Sequence, residues 1–89
     1  MEHLDILVKG KVQRVWYRQS TLEKALELGV FGCVKNLPDG NVFIEVEGES
    51  EILKEFVDWC RVGPVNAKVE KVISEKKRLK GFKIFQIVK

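Results

Sequence analysis

The sequence predicts an α+β domain of the ferredoxin-like, split βαβ type. This is a sandwich in which two helices cover one face of a four- to five-stranded antiparallel or mixed sheet. Three observations predict it. Apolar residues alternate at period two in several short runs, helical periodicity is confined to two segments, and the runs follow the order β-α-β-β-α-β with an extra strand near the end. At 89 residues the chain has room for one domain over 1–89 with a single modest core.

Leu4, Ile6 and Val8 alternate with Asp5 and Lys9 and give a half-buried first strand. The connection "GKVQRVWYRQ" follows at 10–19. Leu22, Ala25 and Leu26 then recur at helical spacing among Glu23, Lys24 and Glu27, and Gly29 supplies the stop. "VFGCVKN", 30–36, is the second strand. "LPDG", 37–40, is a turn, because Pro38 presets φ and Asp39-Gly40 tolerates left-handed backbone. Val42, Ile44 and Val46 alternate with Phe43, Glu45 and Glu47, a third strand paired to the second as a hairpin. Ser50 is the expected cap of a second helix whose buried stripe is Ile52, Leu53, Phe56, Val57 and Cys60. "VGPVN", 62–66, ends it. Val69 with Val72 and Ile73 marks a fourth strand whose break in parity suggests a bulge. "GFKIFQIVK" closes the chain as a strand in which Phe82, Ile84 and Gln86 alternate with Lys83, Phe85 and Ile87.

A composition of 45% hydrophobic and 33% charged residues excludes a disordered chain. Sixteen Lys and Arg against thirteen Asp and Glu give a net charge of +3. These charges are interspersed, compatible with an anionic ligand but unlike a nucleic-acid-binding tail. Residues 1–9 lack an apolar h-region and a cleavage site, and no apolar run is long enough to span a membrane. The expectation is a cytoplasmic monomer without membrane or nucleic-acid partners, in which Cys33 and Cys60 are reduced and serve as small apolar packers.

The 10–19 connection carries Arg14 and Arg18 and no acid. A strand ending in a short loop that opens a helix presents free N–H groups at the positive end of the helix dipole, a ready anion site. Arg18 adds a planar fork able to make two hydrogen bonds to one phosphate or carboxylate. Spacing alone leaves a solvated arginine as an open alternative. Turn hydrogen bonding equally explains Asn36, and Gln13 reads equally as a solvated loop residue. Trp16 and Tyr17 are either core lids over the helix or a platform beside a ligand, with core preferred; Trp59 borders the core. His3, beside a frayed N-terminus, reads as a surface residue rather than a base. No HExxH or GKS/T motif and no paired carboxylates near the loop suggest another chemistry.

Two motifs narrow the choice. "GKVQRVWYR", followed by "GCVKNLPDGNV" and "EGE", resembles the signature of the acylphosphatases. Their first loop reads G-x-V-Q-G-V-x-F-R, and their second and third strands read G-x-V-x-N-x-x-D-G-x-V. Gly10, Val12, Gln13, Val15 and Arg18 fit the first pattern; Gly32, Val34, Asn36, Asp39, Gly40 and Val42 fit the second. "GPVNAKV", 63–69, is similar to a further segment, so the resemblance covers essentially the whole chain. It implies hydrolysis of a small acyl phosphate to a carboxylate and inorganic phosphate. It implies that the phosphoryl group, or a phosphate or sulfate in its place, rests on Arg18 and the loop from Gln13 through Arg14, Val15, Trp16 and Tyr17. Asn36 would orient the attacking water, with no cofactor, no metal and no covalent intermediate.

Elementary chemistry agrees with such sparse equipment. The leaving carboxylate has a conjugate acid of pKa about 4 to 5 and needs no general acid. Phosphoryl transfer chiefly demands positioning and neutralisation of the equatorial oxygens.

Two positions depart from the pattern: Arg14 stands where glycine is usual, and Tyr17 where phenylalanine is. If position 14 needs positive φ, arginine costs about 1 kcal/mol or more there. Either Arg14 lies outward and adds positive potential at the mouth, or it distorts the loop. The expectation is a working enzyme of reduced activity, in which Arg14→Gly raises kcat/KM. The alternatives are a silent anion-binding or interaction domain and, from the echo of an RNA-recognition strand in "KGFKIFQI", an RNA-binding module. That echo falls on the final strand rather than the third, which counts against it.

Overall fold

Alternation along the first strand turns Ile6 and Val8 fully inward, while His3, Asp5 and Leu7 face the opposite side of the sheet. The computed structural model describes residues 1–89. Its elements are β1 (Glu2–Lys11), α1 (Tyr17–Leu28), β2 (Phe31–Asn36), β3 (Val42–Gly48), α2 (Ser50–Val62), β4 (Lys68–Lys77) and β5 (Phe85–Val88). The strands form one sheet in the order β4-β1-β3-β2-β5. Neighbours are antiparallel except β2 and β5, which are parallel, so the sheet is mixed. No helix is long and apolar enough to cross a membrane.

Both helices lie on one face, α1 over β2 and β5 and α2 over β4, β1 and β3. Between the layers Ile6, Val8, Val34, Val42, Ile44 and Val46 of the sheet meet Tyr17, Ala25, Leu53, Phe56, Val57 and Cys60 of the helices, and Phe85 closes the far end. Each such aliphatic or aromatic side chain contributes about 1.5–3 kcal/mol by leaving water.

The second helix buries Leu53, Phe56, Val57 and Cys60 as its periodicity predicts, with Ile52 half-buried. Its start differs. Glu49 occupies the cap position with extended backbone, and Ser50 is already helical, with no side-chain cap. In α1 the buried stripe is Tyr17, Thr21 and Ala25, with Leu22 half-buried and Leu26 67% exposed. Thr21 takes the inward place because its hydroxyl donates to the Tyr17 carbonyl at 2.7 Å, so no polar group is stranded.

The parity break in β4 is a bulge. Lys9 pairs with Lys71 but Gly10 with Val69, leaving Glu70 as the extra residue. Gly10 there has φ 132°, and a Cβ would run into the Lys68 carbonyl. The final strand is shorter than its alternation suggests, because residues 78–83 cross the helix-free face instead of pairing along an edge, and pairing with β2 begins where the Ile84 carbonyl accepts the Gly32 N–H at 2.9 Å. The Glu47 carboxylate accepts the N–H groups of Lys80, Gly81 and Phe82 and diverts them from any ladder.

Candidate active site

The loop between β1 and α1 bends through two left-handed residues, Arg14 at φ 61° and Trp16 at φ 69°. A left-handed residue followed by the right-handed helix start at Tyr17 turns successive N–H groups to one side, the geometry of an anion nest. The first main-chain bond of α1 runs from Ser20 N–H to the Trp16 carbonyl at 3.0 Å. The N–H groups from Gln13 through Gln19 have no main-chain acceptor. No side chain caps this terminus and no acid lies in its first turn, so the positive end of the dipole is uncompensated.

Arg14, Trp16, Tyr17, Arg18 and Asn36 line one cleft of about 690 Å³, together with Val12, Gln19, Ile87 and Lys89. Its walls include Arg14, Arg18 and Lys89 and no Asp or Glu side chain. Arg18 is half-buried, and its guanidinium has no carboxylate within salt-bridge distance. Asn36 enters from the end of β2, and its Oδ1 is the one buried side-chain polar atom without a partner. A half-turn about χ2, a soft torsion in asparagine, exchanges that oxygen with Nδ2.

The sequence-derived site divides at this point. Gln13 and Val15 line an adjoining depression with Val65, Asn66 and Ala67, and Arg14 borders both hollows. Gln13 is not a solvated loop residue, because its Nε2 donates to the carbonyls of Leu37 at 2.7 Å and Asn41 at 2.8 Å. Trp16, expected in the core, is 73% exposed, since the left-handed turn hands the inward position to Tyr17. Tyr17 is buried, and its hydroxyl donates to the Cys60 carbonyl at 2.8 Å. Burial pushes its phenol far up, so it stays protonated.

A family model described as Acylphosphatase matches residues 4–87. The chain belongs to the acylphosphatase family. An acylphosphatase of Marinobacter nauticus is 53% identical over 70 residues, covering 79% of this chain and 76% of that one. One of Nitrosococcus oceani is 44% identical over 81 residues, covering 91% of each. The crystal structure of acylphosphatase from Bacillus subtilis superposes with a TM-score of 0.97 at 34% identity and covers 100% of both chains.

Elsewhere, this acylphosphatase-family chain offers two other groups that could bind something. A hollow of about 350 Å³ between α2 and the β1–β4 edge sets Glu2 and Asp58 against Lys54, Arg61 and Lys76. The mixed signs give it no consistent field for an anion. On the helix-free face His3 is not at the surface but 1% exposed, because the 78–83 crossing covers it and Phe82 stacks on its ring. Its Nδ1 lies 2.7 Å from Glu47 Oε2, its Nε2 2.7 Å from Asp5 Oδ1 and 3.6 Å from Glu45 Oε1. Two ligands of one tetrahedral zinc stand about 3.3 Å apart. The His3–Asp5 separation is therefore that of a hydrogen bond, and Lys80 Nζ already occupies Glu45 at 2.5 Å. The cluster fits an imidazolium held between carboxylates better than a metal centre.

The cysteines are both free. Cys60 is buried, and burial pushes its thiol up to about 12. Cys33 is less of an apolar packer than expected, since it faces Glu45 Oε2 at 3.7 Å, and burial with that carboxylate raises its pKa too. Neither is an activated nucleophile. Ile87 and Lys89 were not legible as site residues, because only the parallel pairing of β5 with β2 carries them to the cleft.

Proposed function

We propose that the cleft hydrolyses acyl phosphates with main-chain amides, one guanidinium and one carboxamide. The phosphoryl oxygens rest on the N–H groups at the start of α1 and on the fork of Arg18. Asn36 accepts a hydrogen bond from a water and aims it at phosphorus in line with the carboxylate. The new P–O bond forms as the anhydride P–O bond breaks. The carboxylate departs unprotonated, and the water's proton ends on the product phosphate or in solvent. No general base is demanded, in keeping with a loose transition state in which the nucleophile bonds late. Arg14 and Lys89 add positive potential at the mouth, which favours capture of a dianion.

The observation that carries this reading is the convergence of unpaired amides and an unpaired Arg18 on the cleft that also holds Asn36. The test uses benzoyl phosphate with a chelator present, and inorganic phosphate as inhibitor. Arg18→Ala should lower kcat by about 10²–10³-fold, the usual effect of removing one preorganised charge-stabilising donor, and should weaken phosphate. Asn36→Ala should lower kcat while phosphate inhibits as before. Hydrolysis persisting undiminished in both variants would refute the reading; phosphate binding without any turnover in the parent protein would leave a silent anion-binding domain.

A further inference from the structure

The hydrogen bonds of Gln13 have no place in phosphate binding. Gln13 is not among the residues that line the cleft, and its Nε2 reaches across to the Leu37 and Asn41 carbonyls at 2.7 and 2.8 Å. An oxygen at that position would face two carbonyl oxygens, so the carboxamide orientation is set by its acceptors. Those carbonyls close the turn after β2. Leu37 N–H donates to the Asn41 carbonyl at 2.9 Å, and Gly40 N–H to the Leu37 carbonyl at 3.1 Å. Asn36, the last residue of β2, directly precedes that closure. At the other end, Gln13 directly precedes Arg14, where the left-handed course of the amide loop begins.

We propose that Gln13 is a positioning residue for hydrolysis: its side chain sets the span between the loop amides that hold phosphate and the Asn36 carboxamide that holds water. The inference rests on the reading of Asn36 given above. No other side-chain hydrogen bond joins the loop to this turn. Without it, no side-chain hydrogen bond would hold the span between loop and turn. In-line attack is sensitive to such a change, since a displacement of about 1 Å costs on the order of a hundredfold in rate.

The test is a double-mutant cycle on benzoyl phosphate hydrolysis with phosphate inhibition measured beside it. Gln13→Met keeps the length of the side chain and removes both donors; Gln13→Glu keeps the shape and sets a carboxylate against the two carbonyls. Each should lower kcat by roughly 10- to 100-fold, leave inhibition by phosphate within about twofold, and cost almost nothing further in an Asn36→Ala background. A variant that does not fold is recognised by its circular dichroism, and the other then serves. The same fold-loss with and without Asn36 would overturn the proposal, as would a loss confined to KM and phosphate affinity. Should Asn36→Ala alone leave kcat intact, the assigned role of Asn36 fails first, and that of Gln13 falls with it.

Discussion

Arg14 holds φ at 61° with a full side chain, a conformation that costs an L-residue about 1–2 kcal/mol. The side chain is exposed at the cleft mouth, and the loop keeps the left-handed turn that glycine would take without strain. Arg14→Gly should therefore raise stability by about 1 kcal/mol, which for a domain of this size is a rise in Tm of about 4–8 °C. A calorimetric scan measures it. We expect kcat/KM to rise by less than about tenfold, because relief of strain is partly offset by the lost attraction at the mouth. No change in Tm would mean that the surrounding fold holds this conformation without cost.

Between elements, Tyr17 joins the start of α1 to the end of α2. The Cys60 carbonyl would ordinarily accept from the N–H four residues on, but that residue is Pro64, which has none. The Tyr17 hydroxyl fills the vacancy at 2.8 Å, while its ring packs on Trp59 with centroids 5.6 Å apart. Gly63, at φ 67°, leaves room for that ring, since a Cβ there would sit 2.8 Å from Tyr17 Cε2. Tyr17→Phe should cost about 1–3 kcal/mol by stranding the carbonyl. Urea unfolding checks this, with kcat little changed because the hydroxyl points away from the cleft. A cost under a few tenths of a kcal/mol would show that water reaches the carbonyl.

Across the whole molecule, the His3 cluster joins β1 and β3 to the crossing that carries the chain from one sheet edge to the other. Burial by itself lowers the pKa of His3, but the hydrogen bonds to Glu47 and Asp5 outweigh it and raise it above its ordinary value. Burial likewise raises Glu47, but the N–H groups of the crossing and the His3 ring outweigh it and lower it. The charges facing this pair are Asp5 on β1, Glu45 on β3, Lys77 of β4, which pairs across from His3, and Lys80 of the crossing. The contribution of His3 is full below about pH 6.5 and fades as pH rises through its raised folded value. That of Glu47 is full above about pH 4.3 and fades as pH falls through its lowered one. Stability should therefore peak between these limits. His3→Gln should flatten the alkaline limb of a plot of Tm against pH; an unaltered limb would show that His3 carries no charge in the fold.

The sequence by itself determined the two helices, the hairpin, the bulge in β4 and the family, because periodicity, turn chemistry and motif spacing are carried by residues close together in the chain. The motif spacing also singled out Arg18 and Asn36 as candidates, which the fold places on one cleft, and the glycine usual at position 14 raised the question of positive φ that Arg14 answers at 61°. Only the tertiary structure decided that Trp16 is exposed, that His3 is buried, that β5 pairs parallel to β2 and that Gln13 faces the turn. Gln13 meets Leu37 from 24 residues away and His3 meets Glu47 from 44. A local pattern can show that a side chain is polar, but its partner is set by which strands become neighbours. That choice is made by the packing of the whole sheet.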